Sequence, residues 1–127
     1  AFLESARLDG ADLRGADLRD AVLAHASLRG AKLDGARLGG ANLGRSTLAG
    51  ASLAQADLAG AELMGADLTG ADLTGTRFDS ANLRQACLGG ARAARATFVG
   101  ARMVRADLHG AFLRGADLSS ADRYRPS

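Results

Sequence analysis

The chain has 127 residues, of which 47% are hydrophobic and 24% are charged, and its formal net charge is +2. That length suits a single domain. Collagen is excluded because Pro126 is the only proline and Gly does not occupy every third position. No apolar run exceeds a few residues, so the sequence predicts neither a signal peptide nor a membrane-spanning segment.

A five-residue repeat begins at Ala1 and continues to Ala121 without an insertion. Its register is clearest in residues 56–75, which read ADLAG AELMG ADLTG ADLTG. The register defines 25 units, in which 23 first positions are Ala, with Ser46 and Thr76 as exceptions, and 20 third positions are Leu. A fixed short period over a whole chain predicts a repeat architecture.

The five-residue period suits neither a regular helix nor a flat strand. On an α-helix, steps of five residues rotate each Leu by about 140°, so the Leu side chains would form no stripe. A flat strand needs alternation over more than three residues. The repeat therefore predicts a chain that turns a corner every five residues. The first and third positions would point inward, and the other three would lie outside or at corners.

The tandem A(D/N)LXX motif resembles the pentapeptide-repeat family, and the resemblance covers units 1 to 24. It implies an all-β fold, the right-handed quadrilateral β-helix, with four units in each coil. The 25 units would then give about six coils and a rod roughly 30 Å long. We assign 1–122 to the β-helix and 123–127 to a C-terminal tail, because Arg123 interrupts the column of Leu residues.

A charge pattern supports four units per coil independently of the resemblance. If one coil has 20 residues, second positions 20 apart lie next to each other on one face. Opposite charges on neighbouring strands stabilise a sheet by a few tenths of a kcal/mol. One such column alternates in sign and reads Asp17, Arg37, Asp57, Arg77.

The largest core side chains provide a second check on the same period. Phe78 and Phe98 are third-position residues 20 apart, so we expect their rings to be in contact. Ala93 would lie in the same coil as Phe98 and make room for it, since cores tolerate substitutions that conserve total volume.

One face of the predicted rod collects apolar side chains. Five of the eight sizeable outward apolar residues fall on the face that begins at Ala1, which we call face 1, and its C-terminal half adds three arginines. An exposed apolar strip commonly marks an interface, whereas scattered exposed apolar residues are ordinary. The candidate interaction face comprises Phe2, Val22, Met64, Arg84, Arg102, Val104, Arg105 and Tyr124.

Charge is distributed unevenly along the chain. Residues 50–83 sum to −4, whereas residues 84–127 contain eight Arg and three Asp and sum to +5. A basic end is ordinarily a solvated surface, and the alternative is an acidic partner, including nucleic acid phosphate. Aromatic residues between the arginines are few, so we do not expect direct nucleic acid binding.

Catalytic and metal-binding patterns are missing from the sequence. His25 and His109 are far apart, and neither has a Cys or second His at metal-ligand spacing. Cys87 has no evident paired base, and as the only cysteine it favours a reducing compartment. The second-position Asp residues suit the turns. We therefore expect no enzymatic activity, no catalytic residues, no cofactor and no metal, and a cytoplasmic location.

Two functions follow as hypotheses. The first is a non-catalytic rigid solenoid scaffold for protein–protein interaction, whose partner is another protein or, in a homodimer, a second copy. The alternative comes from the family resemblance, which implies a DNA-mimicking binder of DNA gyrase that protects it from quinolones or toxins. The net charge of +2 departs from that pattern, as does the lack of a C-terminal dimerisation helix.

Two further interpretations stay open. An engineered repeat without a native partner is a third functional interpretation, against which the irregular surface argues. The chain also opens in register, without Met and without a capping segment. Solenoid ends usually carry a cap, so this beginning is typical of a piece of a longer chain.

Overall fold

The computed structural model describes residues 1–123, with only the backbone of Arg123, so Tyr124 to Ser127 of the predicted tail lie outside the described residues. Two short strands, β1 (Arg102–Met103) and β2 (Asp122–Arg123), pair in parallel. The same pairing continues along the rod as single-residue parallel bridges, each joining second positions 20 residues apart, from Phe2↔Val22 to Thr97↔Asp117. The chain is a right-handed quadrilateral β-helix with four units per coil, as the resemblance implied.

Backbone hydrogen bonds repeat in every unit and explain how neighbouring coils are held. The N–H of Val22 donates to Ala1 in the preceding coil at 2.9 Å, and the N–H of Leu3 donates to Val22 in the following coil at 2.7 Å. A third bond closes each corner, as from the Ala6 N–H to the Leu3 carbonyl at 3.0 Å. Each unit between the end coils therefore satisfies its backbone through the coils on either side, which is the parallel pairing that the 20-residue period requires.

The corners explain why Gly recurs at the fifth position. All 14 fifth-position glycines have positive φ, for example +69° at Gly60, and Gly adopts this left-handed region without steric cost. The short bend between the third position and the next unit turns the chain through one corner of the square. The predicted turn every five residues is confirmed.

The core is built from the first and third positions, as predicted. Between residues 21 and 103 the core side chains are almost fully inaccessible to solvent, whereas Leu3 and Leu118 in the end coils are partly exposed. Phe78 and Phe98 stack on each other within this core, so the predicted ring contact is confirmed. Ser46 and Thr76 are also buried, and each donates its hydroxyl to a backbone carbonyl at 2.7 Å.

The alternating charge column has the predicted register but different ion pairs. Parallel bridges join Asp17 to Arg37, Arg37 to Asp57 and Asp57 to Arg77. Asp17 nevertheless makes its close ion pair with Arg19 at 2.7 Å, and none of the four close ion pairs among the side chains of residues 1–122 joins two members of the column. Arg19 lies in the same unit and offers Asp17 two side-chain hydrogen bonds and one backbone N–H, which Arg37 in the next coil does not.

The carboxylates and amides at second positions stabilise the corners, as the sequence predicted for the Asp residues. Those from Asp12 to Asp117 each accept a hydrogen bond from the backbone N–H two residues later, for example Asp57 from Ala59 at 3.0 Å and Asn82 from Arg84 at 3.1 Å. Such side-chain bonds to nearby backbone fix turn geometry.

Candidate interaction surface

The structure places the seven described residues of the candidate interaction face on face 1. Phe2, Val22 and Arg102 lie in its column of second positions, which the parallel bridges define. Met64, Arg84 and Val104 belong to the fourth positions of the same units and Arg105 to a fifth position, while Tyr124 lies outside the described residues.

These residues form two groups and not one strip. Phe2 is 92% exposed and is bridged to the partly buried Val22 at the N-terminal end. Asn42 and Glu62 continue the same column, so polar side chains separate this pair from Met64 and the arginines. The continuous apolar strip suggested by the sequence is therefore interrupted in the middle of the face.

The second group surrounds an open groove. Met64 and Val104, both partly buried, occupy fourth positions on either side of Arg84. The groove has a volume of about 570 Å³ and is lined by Met64, Arg84, Gln85, Val104, Arg105 and Asp122. Four of these residues were candidates from the sequence, whereas Gln85 and Asp122 were missed.

The arginines of the groove form no close ion pair with a described carboxylate. Among the side chains of residues 1–122, nitrogen–oxygen contacts within 4.0 Å join Asp residues only to Arg14, Arg19, Arg77 and Arg92. Asp122 lines the same groove without such a contact, and Glu62 accepts a 2.7 Å hydrogen bond from the Asn82 side chain. The guanidinium groups of Arg84 and Arg105 can therefore form bidentate hydrogen bonds with an outside carboxylate.

One corner of the rod beside the groove carries few glycines, although its backbone has the same left-handed conformation as the other corners. After face 1, the fifth position carries a side chain in left-handed conformation at five of six described places, namely Ser5, His25, Arg45, Gln85 and Arg105. At the corner after the next face, which we call face 2, all six fifth positions are Gly. A left-handed conformation costs a residue other than Gly about 1–2 kcal/mol. The concentration of such residues at one corner is visible in the sequence and would have identified Gln85.

Two other exposed apolar residues lie away from face 1. Face 3 begins with unit 11–15 and face 4 with unit 16–20. Phe112 on face 3 is 63% exposed and Val99 on face 4 is 38% exposed. Both are among the eight outward apolar residues of the repeat that were counted from the sequence, and no role was predicted for either of them.

Cys87 is exposed, as expected for a second-position residue. Partial burial raises the pKa of its thiol, and the negative charges of Asp67 and Asp107 in the neighbouring coils raise it further. The thiol is therefore predominantly protonated near neutral pH. Within the described part of the chain, no group of three or more His, Cys, Asp and Glu residues is arranged to hold a metal ion.

No helix among residues 1–123 is long and apolar enough to cross a membrane.

Comparison with known proteins gives a consistent result for the fold. No curated protein matches the chain. Among solved structures, alr5209, a pentapeptide-repeat protein from Nostoc PCC 7120, is 29% identical with a TM-score of 0.55, and the alignment covers 96% of this chain and 84% of that one. Rfr23, a pentapeptide-repeat protein from the cyanobacterium Cyanothece 51142, is 28% identical with a TM-score of 0.54, over 79% of this chain and 64% of that one.

The plasmid-mediated fluoroquinolone resistance protein QnrB1 has the higher TM-score of 0.62 but is only 19% identical, over 94% of this chain and 69% of that one. This likeness shows the fold alone. The chain spans less than two thirds of the length of Rfr23.

The family model for pentapeptide repeats matches residues 6–45, 46–85 and 86–122, with eight copies of the repeat. These segments cover nearly the whole chain and keep the register of the bridges described above. The chain therefore belongs to the pentapeptide-repeat family.

Proposed function

We propose that the protein is a non-catalytic, rigid scaffold that binds a protein partner through the groove on face 1. One observation carries the proposal: the partly buried Met64 and Val104 flank Arg84, whose guanidinium has no carboxylate within 4.0 Å among residues 1–123. Apolar contacts beside an available arginine are typical of the centre of protein interfaces.

The backbone around the groove supports the same function. Gln85 and Arg105 keep side chains at left-handed corners with φ of 60° and 64°, where Gly would be less strained. Strained conformations commonly occur at binding sites, where their cost is compensated by function. Backbone hydrogen bonds from the Gly65 N–H to the Arg84 carbonyl at 2.9 Å and from the Gln85 N–H to the Val104 carbonyl at 3.1 Å join the coils at this corner. The groove is therefore preorganised, and little entropy is lost when a partner binds.

The experiment compares two matched double variants in partner capture. Arg84→Gln with Arg105→Gln removes two charges from the groove, and Arg29→Gln with Arg37→Gln removes two charges from exposed positions on faces 2 and 4. A partner captured by the unmodified protein should be retained by the second variant and lost by the first. Equal retention by both variants would contradict the proposal.

A homodimer is the version of this proposal in which the partner is a second copy. Sedimentation of the unmodified protein and of the groove variant would detect it, since only the unmodified protein should then dimerise. The cytoplasmic location stays a prediction that rests on the single cysteine.

Protection of DNA gyrase is a second candidate function, favoured by one feature of the surface. Four consecutive second positions form one acidic coil around the rod, namely Asp57, Glu62, Asp67 and Asp72. Duplex DNA carries a negative charge every ~1.7 Å along its axis. In this chain, by contrast, the second positions of the coil that follows the acidic one include the positively charged Arg77 and Arg92. A gyrase supercoiling assay with and without a quinolone tests this candidate, and inhibition or protection that persists in the groove variant would favour it over the scaffold.

A further inference from the structure

Within the described part of the chain, Phe112 is the most exposed large apolar side chain outside the first coil. It lies on face 3, which is opposite face 1 in a four-sided rod. Its backbone is firmly held, because its N–H donates to Ala91 at 2.9 Å and its carbonyl accepts from Ala93 at 2.8 Å. An exposed aromatic ring on a fixed backbone can be buried by a partner at little conformational cost.

Three arginines occupy the same two stacked units as Phe112. Arg92 is bridged directly to Phe112 in the adjacent coil. Arg114 follows Phe112 by two residues, and the Arg95 side chain lies beside Gly115, where an added Cβ would be 3.3 Å from the Arg95 Cγ. The units 91–95 and 111–115 contain no acidic residue, so this patch carries three positive charges.

The charges of the patch are little compensated by the rest of the described chain. Arg92 reaches Asp72 of the preceding coil at 3.7 Å. Arg95 and Arg114 have no ion pair within 4.0 Å among residues 1–123. Both guanidinium groups can therefore donate hydrogen bonds to the two oxygens of a carboxylate from outside.

Arg95 also occupies a position where the fold favours Gly. Its φ is 58°, and four of the six fifth positions at this corner are glycines. The backbone of this patch therefore carries the same type of strain as the groove on face 1, although the two surfaces share no residue.

We propose that Phe112, with Arg92, Arg95 and Arg114, forms a second docking surface, which binds an acidic protein segment carrying apolar side chains. The apolar side chain covers the Phe112 ring, and carboxylates pair with the arginines on either side. Charge complementarity selects an acidic partner. Single-stranded nucleic acid fits less well, because it stacks successive bases on several aromatic side chains and face 3 has one exposed aromatic residue among residues 1–123.

The proposal goes beyond the groove on face 1 and does not depend on it. Because the two surfaces lie on opposite faces of one stiff rod, two partners can bind at the same time without contacting each other. The scaffold would then hold them at a fixed separation.

The test uses fluorine NMR of the protein labelled with 4-fluorophenylalanine. The four Phe residues give four signals, and Phe112→Leu identifies the signal of Phe112. The probe is a peptide of alternating Glu and Leu, and the controls are a Lys–Leu peptide, a Glu–Gly peptide and oligothymidylate. Phe78 and Phe98 are buried and Phe2 lies on face 1, so their signals serve as internal references.

We expect the Glu–Leu peptide to shift the Phe112 signal saturably and leave the Phe2 signal unchanged. Arg95→Gln with Arg114→Gln should weaken this binding on the order of tenfold, since losing about 1.4 kcal/mol is a tenfold change. The matched variant Arg84→Gln with Arg105→Gln should bind as the unmodified protein does. The Glu–Gly peptide, which lacks the apolar side chain, should bind more weakly than the Glu–Leu peptide when both are followed by the Phe112 signal.

Three results would overturn the proposal. The first is an unchanged Phe112 signal at saturating Glu–Leu peptide. The second is a larger shift with oligothymidylate than with the peptide, which would assign the patch to nucleic acid. The third is an equal loss of binding in the face 1 variant, which would show a general effect of charge.

Discussion

Phe78 and Phe98 stack face to face in the core, with ring centroids 5.0 Å apart and ring planes 8° from parallel. Both rings are fully buried, and they lie in successive coils of one column. Aromatic pairs of this kind add about 0.5–1.5 kcal/mol beyond the burial of their surface. Ala93 is buried in the same coil as Phe98, so the larger ring is accompanied by a smaller neighbour on the adjacent face.

This arrangement predicts a coupled effect of two substitutions. Ala93→Leu alone should overpack the coil and destabilise the protein by about 1–3 kcal/mol. Phe98→Leu alone should also destabilise it, through the loss of ring contacts with Phe78. The double variant restores the usual Leu at both positions, so its cost should be less than the sum of the single costs by about 0.5 kcal/mol or more. Urea unfolding of the four proteins measures this difference, and simple additivity would show that Ala93 does not make room for Phe98.

The period of the sequence was enough to predict this stacking, because positions 20 residues apart must be neighbours once four units make a coil. It did not predict that Asp17 pairs with Arg19 in preference to Arg37. Both arginines lie near the Asp17 carboxylate, one in the same unit and one in the next coil, and the side-chain rotamers decide which of them pairs with it. The period also did not predict how far each outward side chain is exposed to solvent. Phe112 and Val22 are both second-position residues, but Phe112 is 63% exposed and Val22 is partly buried.

The candidate surface was predicted less completely than the fold. The repeat assigns every residue to a face, so Met64, Arg84, Val104 and Arg105 could be grouped from the sequence. A groove, however, depends on the relative sizes and conformations of side chains in adjacent coils, and the repeat pattern of the sequence does not show these. Asp122 was missed for that reason, whereas Gln85 could have been found from the non-glycine fifth positions of face 1.

Two neighbouring threonines should respond oppositely to replacement by Val. The Thr97 hydroxyl is buried and has no hydrogen-bond partner among the described residues, whereas the Thr76 hydroxyl donates to the Leu53 carbonyl at 2.7 Å. Thr97→Val removes an unsatisfied polar group and should raise the free energy of unfolding by about 1 kcal/mol. Thr76→Val removes a hydrogen bond and should lower it by about 1 kcal/mol. Thermal unfolding of both variants checks the signs, and a loss of stability in Thr97→Val would mean that its hydroxyl is satisfied.

The left-handed corners predict another pair of opposite effects. Gly60 has φ of +69° and no atom within 4 Å of an added Cβ, so Gly60→Ala introduces backbone strain without a clash and should cost about 1 kcal/mol. Ser80 has φ of 60°, so Ser80→Gly relieves strain. Its gain should be smaller, a few tenths to about 1 kcal/mol, because Gly loses more backbone entropy on folding. Chemical denaturation of both variants provides the comparison, and a stabilising Gly60→Ala would contradict the account of the corners.

The pairing of Asp12 with Arg14 predicts how the N-terminal coil responds to acid. Two side-chain hydrogen bonds from Arg14, at 2.8 and 2.7 Å, and a weaker one from its backbone N–H lower the pKa of the Asp12 carboxyl from 3.8 to about 2. Because the folded state has the lower pKa, this group stabilises the fold above pH 4, and the contribution is lost as the pH falls from about 4 to about 2. Removing the guanidinium with Arg14→Gln should move the carboxyl pKa back towards 3.8.

Carbon-detected NMR of the Asp12 carboxyl during an acid titration measures this pKa directly. Arg19→Gln is the matched control, because Arg19 forms the equivalent pair with Asp17 at 2.7 Å in the next unit. It should raise the pKa of Asp17, which Arg19 holds well below its ordinary value, and leave that of Asp12 unchanged. If Arg14→Gln left the Asp12 pKa near 2, the depression would have to come from the backbone N–H of residue 14, which the substitution keeps, or from Lys32 in the neighbouring coil, which also attracts this carboxylate. The double variant Arg14→Gln with Lys32→Gln would separate the two causes, because it leaves only the backbone hydrogen bond in place.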